Sequence, residues 1–300
     1  MIQQSREISD KAYVPESAVC PVRDRALRAL AELPPFSPIL NRLIANLAQP
    51  DVSFGKVADL IEKDAVLAGN LLKLVNSALY GRRGTINSVR HAVSMLGVDK
   101  LRNAALSMSV ARMWSHVKTP SGWSLASFNL HAVGVAILSD LLAQRLPVDD
   151  GEGAFAAGLF HDLGWLLLVL GCPEEYERAA GLFQQNQPSG PDFESQFFGI
   201  SHAELSADAL AIWNLPKPIQ MAVHDHVRPE QDSSPGQRRV SLSQVVNVAD
   251  QYVQQRGHPL SVFEQRPTAV EITDYFGLGA ELAGLLGDFD AQFSSIQQFF

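Results

Sequence analysis

The sequence predicts an all-α protein built as a helical bundle of two stacked subdomains, followed by a C-terminal helical extension. Three observations carry this. Apolar residues recur at helical spacing from about residue 24 onward. No stretch alternates apolar and polar residues as a half-buried strand would. Pro-, Gly- and Ser-rich breaks divide the chain, with no repeat at a period of roughly 20–50 residues. Of the 300 residues, 46% are hydrophobic and 19% charged, enough apolar surface for a full core and too much for a disordered chain.

Residues 1–24 are polar, with Pro15 and Pro21, and are expected to form an arm. The first subdomain is residues 25–118. In it Ser53 suits an N-cap, and Val57, Leu60 and Ile61 share a face. Asp64 leads a helix with Leu67, Leu71, Leu74 and Val75. Asn87 or Ser88 can cap the next, whose Val89, Ala92, Val93 and Leu96 align before Gly97. A long helix follows over about 99–117. Lys118-Thr119-Pro120-Ser121-Gly122 separates the second subdomain, residues 119–256. Ser124 opens a helix to about Arg145, and Asp149-Asp150-Gly151 breaks it. Residues 152–170 read as helix with a joint at Gly164. Pro173 starts another. Ser201 with Glu204 makes a capping box ahead of a helix to Trp213. Helices over about 216–227 and 240–255 complete the subdomain. The extension, 257–300, is expected to hold two short helices from Ala269, with Phe289, Phe293, Phe299 and Phe300 docked on the body or offered to a partner.

The net charge of −8, from 24 Lys and Arg against 32 Asp and Glu, argues against nucleic-acid binding by phosphate neutralisation. Two cysteines, Cys20 and Cys172, cannot make a disulfide framework or a cysteine-rich zinc site, which fits a reducing cytoplasm. The first six residues carry no apolar signal region, and the longest apolar run, Trp165-Leu166-Leu167-Leu168-Val169-Leu170, is far short of a membrane span. A cytoplasmic protein without membrane contact is therefore expected.

Asn76 and Ser77 read as a helix end, Gly81 and Gly84 as a tight turn, and Tyr80 as a buried ring with a satisfied hydroxyl. Arg82, Arg83, Arg90, Lys100 and Arg102 make this part locally basic, either as a solvated face or toward an anionic partner. Leu33-Pro34-Pro35, Asp64, Asn76-Ser77-Ala78-Leu79-Tyr80-Gly81, Ile86-Asn87-Ser88 and Ala92 to Leu96-Gly97 resemble, in order and spacing, the HD-related output domain (HDOD) family. Ala65 departs from the proline usual after this aspartate.

Six of the eight histidines lie between His131 and His258. His161-Asp162 sits in an apolar setting, Gly158-Leu159-Phe160 before and Leu163-Gly164 after. Burying that pair costs several kcal/mol unless it is mutually bonded or bound to a metal. His131, His161, Asp162 and Asp250 resemble the four-point pattern of the HD metal-dependent phosphohydrolase superfamily. The resemblance implies a divalent ion: iron, manganese, zinc or, less well, magnesium. His202 and His226 are candidate extra ligands, as in binuclear members. His224-Asp225-His226-Val227 leaves the register open where the family shows two adjacent histidines; His226 is aligned with the first, and His224 is the weaker candidate. His91, His116 and His258 read as background.

Trp165 stands where cyclic-dinucleotide phosphodiesterases of the superfamily carry a lysine, and there is no Gly-Tyr-Pro motif. The HDOD resemblance thus implies a signal-transduction output or regulatory module that binds a protein partner or a nucleotide and holds a metal without efficient catalysis. The alternative it leaves is a metal-dependent phosphohydrolase or phosphodiesterase acting on a nucleotide or cyclic dinucleotide, with Asp162 orienting the attacking water. A metal-free scaffold is the third reading.

Overall fold

Capping chemistry places the helix starts. In the computed structural model, which describes residues 21–34, 36–45, 54–76, 85–115, 117–120, 122–186, 193–232, 240–258, 260 and 276–300, Asp64, Ser88, Ser124, Ser201 and Ser241 each accept a backbone N–H at a helix N-terminus. The helices are α1 (Pro21–Glu32), α2 (Pro38–Ala45), α3 (Phe54–Glu62), α4 (Ala65–Val75), α5 (Val89–Leu96), α6 (Val98–Trp114), α7 (Leu125–Ala143), α8 (Ala154–Phe160) and α9 (Leu163–Gly171). They continue with α10 (Pro173–Asn186), α11 (Phe193–Phe198), α12 (His202–Ile212), α13 (Lys217–Asp225), α14 (Leu242–Gln255) and α15 (Glu281–Ile296). No strand occurs among the described residues; Val148 and Val240 form one isolated bridge.

Helices α2–α6 pack on one another around Leu40, Leu43, Val57, Ile61, Leu71, Val93 and Leu101. Asp64 Oδ1 accepts the N–H groups of Val66 and Leu67 at 3.1 and 3.0 Å and pairs with Arg112 of α6. The cap therefore works with alanine in place of proline at 65. Asn76 closes α4: its amide donates to the carbonyls of Leu72 and Ile86 and accepts from Ile86 N–H, each at 2.8 Å. Ser77, Tyr80, Gly81 and Gly84 lie outside the described residues.

Helix α7 packs on α8 and α14, while α12 lies against α9 and α13. By length and composition α7 and the stretch Gly151–Gly171 could each cross a bilayer, but 72% and 94% of those windows are buried inside this fold. They are core helices, apolar all round because they are covered all round. Helix α1 crosses to this bundle and packs on α9 and α12. Its Arg23 pairs with Asp208 and its Arg25 with Glu175.

Among the described residues the tail holds α15; residues 261–275, where the first of the two expected helices begins, lie outside them. It packs on α7, where Gly134 leaves room for Val253 and Phe293. Leu285, Phe289, Phe293 and Ile296 of α15 are buried. Phe299 is half-buried beside Lys73 of α4.

Where α6 meets α7, Asp140 faces Arg102, Asn103 and Asp99, and Gln144 Nε2 donates to its Oδ2 at 2.7 Å. Burial pushes its carboxyl from the ordinary 3.8 up to about 6, against the pull of Arg102. The folded state thus binds this proton more tightly than the unfolded one, so the contribution of Asp140 to stability falls as pH rises through that interval and is level above it. Asp140→Asn should remove this part of the slope and raise stability at pH 7.5 by about 1–2 kcal/mol. Urea unfolding at pH 4.5 and 7.5 checks this; a parent and variant with equal slopes would refute it.

Candidate metal centre

The chain breaks at His161-Asp162. Helix α8 ends at Phe160, His161 keeps helical dihedrals, and Asp162 (φ −104°, ψ 13°) turns the chain into α9. The joint is thus two residues before Gly164. That glycine instead allows a close approach of two backbones, because a Cβ there would lie 2.1 Å from the carbonyl oxygen of His202. It lets α9 press against the start of α12, and its N–H donates to Ser206 Oγ at 2.7 Å. Gly158 does the same for α8 and α7, with Ala136 backbone 2.8 Å from its virtual Cβ. Two side-chain-free contacts therefore bring His161-Asp162 up to His131 of α7 and His202 of α12.

Each of the four imidazoles is oriented through Nδ1. His131, His161 and His226 donate to the carbonyls of His258, Gly158 and Val223 at 2.8, 2.8 and 2.6 Å. His202 donates to Glu194 Oε2 at 2.7 Å. Carbonyl and carboxylate oxygens only accept, so Nδ1 carries the proton and Nε2 is turned inward as the donor atom.

The Nε2 atoms meet on Asp162. Its Oδ2 is 3.5 and 3.2 Å from those of His131 and His161, and Asp250 Oδ1 is 3.2 and 3.7 Å from the same two. Asp162 Oδ1 is 3.2 and 3.7 Å from those of His202 and His226. Two donor sets result, His131, His161, Asp162 and Asp250, and Asp162, His202 and His226, sharing one carboxylate.

Burial by itself would lower the His161 pKa, but Asp162 and Asp250 push it up to about 9. His202, also buried, is raised well above the ordinary value by Glu194 and Asp162. His226 is lowered by burial and by the neighbouring His161 and His202. Burial opposes ionisation of Asp162 and Asp250, yet the imidazoles hold both carboxyls below the usual range. Positive charge is thus strongly favoured at the middle of the cluster. Nε2 atoms of His131 and His161 stand 3.3 Å apart, and those of His202 and His226 3.4 Å. Ligand bonds of about 2.0–2.1 Å at tetrahedral angles put donor atoms about 3.3–3.4 Å apart. The donors fit a divalent ion, better zinc, iron or manganese than oxygen-preferring magnesium.

Residues 33–229 match the HDOD domain family model, about two thirds of the chain. The chain belongs to the HDOD family. Solved structures with the same fold include an HDOD domain protein of unknown function from Geobacter sulfurreducens, 24% identical, with a TM-score of 0.72, covering 93% of this chain and 98% of that one. A provisionally named signal transduction protein from Marinobacter aquaeolei is 23% identical, with a TM-score of 0.68, covering 93% and 65%. A provisionally named phosphohydrolase from Shewanella amazonensis is 22% identical, with a TM-score of 0.67, covering 92% and 97%. An uncharacterized protein of Treponema pallidum (strain Nichols) is 24% identical over 234 residues, 75% of this chain. The chain spans 44% of that relative's length.

In this HDOD protein all six residues singled out from sequence converge. Asp250 does so from α14, beyond the matched segment. His226 faces Asp162, while His224 is exposed and bonds Asp225 at 2.6 Å. His258, read as background, supplies the carbonyl that orients His131. The sequence places Glu194 in a segment, Glu194 to Gly199, that resembles the HDOD pattern, but it does not show the bond to His202, since a contact across eight residues and a loop follows no helical period. Sequence reasoning identified Trp165 as an absent lysine without foreseeing that the indole stacks on His202, centroids 4.8 Å apart at 16°.

Proposed function

We propose that this HDOD protein is a cytoplasmic signalling output module that holds a divalent metal and binds a protein or nucleotide partner without efficient turnover. The carrying observation is Trp165. At the third position after Asp162, where phosphodiesterases of the superfamily place a lysine, a buried indole packs on a candidate ligand. Among the described residues no Lys or Arg bonds Asp162 or Asp250, whose partners are imidazoles and Gln254. Nothing in that set would offset charge gathering on a phosphoryl group. The provisional name of the Marinobacter neighbour agrees.

The second reading, a metal-dependent phosphohydrolase acting on a nucleotide or cyclic dinucleotide, is favoured by the completeness of the six-residue cluster and by the name of the Shewanella neighbour. His131, His161, Asp162 and Asp250 would hold one ion, and Asp162, His202 and His226 a second. A bound ion would supply Lewis acidity toward a phosphoryl oxygen and a lowered water pKa. The chain's own contribution is to fix the tautomers through Nδ1, exclude bulk water, and present Asp162 as an acceptor to an attacking water.

Elemental analysis of protein purified without chelator, paired with a phosphatase and phosphodiesterase panel in manganese or iron, separates the readings. One or two equivalents of metal with no turnover is the expected result. Turnover abolished by Asp162→Ala would establish the enzyme instead. Absence of both would leave a scaffold.

A further inference from the structure

We propose that Glu194 is the positioning residue of the second donor set and determines how tightly Asp162, His202 and His226 hold an ion. The proposal rests on the metal-binding reading above.

The four imidazoles are not oriented alike. Three donate Nδ1–H to neutral main-chain carbonyls; His202 alone donates to a carboxylate. A charged acceptor makes a stronger hydrogen bond and increases electron density at the opposite ring nitrogen, the one facing the ion. The same oxygen, Glu194 Oε2, also accepts His202 N–H at 2.8 Å. One atom therefore ties both the ring and the backbone of His202, at the first residue of α12. Trp165 covers the ring face. With Glu194 on its edge and an indole on its face, the His202 ring keeps Nε2 at 3.2 Å from Asp162 Oδ1.

Charge points the same way. The first set contains two carboxylates, Asp162 and Asp250, for one divalent ion. The second has only the shared Asp162. Glu194 adds the missing negative charge one imidazole away. His226, oriented by the Val223 carbonyl, has no such support. The second set thus depends on one side chain outside it, which the first does not.

The test uses the full chain and zinc as the probe. Parent, Glu194→Gln, Glu194→Asp and Glu204→Gln are titrated with Zn2+ against a chromophoric chelator, with metal content by elemental analysis and folding by circular dichroism. Glu204 also caps α12, through Ser201, but touches none of the imidazoles. The parent should bind two equivalents. Glu194→Gln should weaken one equivalent by about 10–100-fold and leave the other unchanged. Glu194→Asp, which keeps the charge, should retain more of the second equivalent. Glu204→Gln should match the parent. Unchanged binding in Glu194→Gln, or an equal loss in Glu204→Gln, overturns the proposal while the metal reading stands. A parent that binds no zinc overturns both.

Discussion

Asp162→Ala should abolish metal binding at both donor sets in one step. The Asp162 carboxylate is the element they share, with Oδ2 toward His131 and His161 and Oδ1 toward His202 and His226. No other described carboxylate lies between the two halves, so the second set would keep two imidazoles and no carboxylate ligand. The metal-free protein should also weaken. Asp162 is the main counter-charge for His161, held up near 9, and one of two for His202. Removing one partner of a buried ion cluster leaves charge uncompensated, at a cost of about 3–5 kcal/mol. Elemental analysis should fall from two equivalents to none, and thermal unfolding of chelator-treated protein should move to lower temperature. Retention of one equivalent would show that the sets are independent.

Gly164→Ala should be nearly as damaging, although it removes no ligand. The added methyl would lie 2.1 Å from the carbonyl oxygen of His202, and backbone cannot swing aside as a side chain can. Helix α9 and the start of α12 must separate, carrying Asp162 away from His202. The expected cost is about 3 kcal/mol or more, at the upper end of overpacking. Gly69, in α4, has nothing within 4 Å of its virtual Cβ. Gly69→Ala should raise stability by about 0.5–1 kcal/mol, as alanine does in an open helix position. Urea unfolding of both variants, with zinc titration of the first, reads the contrast. A Gly164→Ala protein with parental stability and metal content would remove close helix approach from the account of the centre.

Much of the fold was legible because helix signals are local. Ser201 with Glu204, Ser124, and Asp64 ahead of an apolar period each act within one turn, and each cap is found where the sequence puts it. The joint after α8 was misplaced because glycine is ambiguous: Gly164 looks like a hinge and serves as a contact surface.

The site divides in the same way. Donor types, their order and the apolar setting of His161-Asp162 are carried by residue identity, and the resemblance to the HD superfamily that they support singled out the six residues. Only tertiary structure decided that His226 and not His224 turns inward, that Asp162 serves two sets, and that Glu194 and Trp165 hold His202. The reason is range. Capping and periodicity act over three or four residues, whereas the Nδ1 partners of these imidazoles lie anywhere from 3 to 127 residues away, and only packing brings the distant ones within reach.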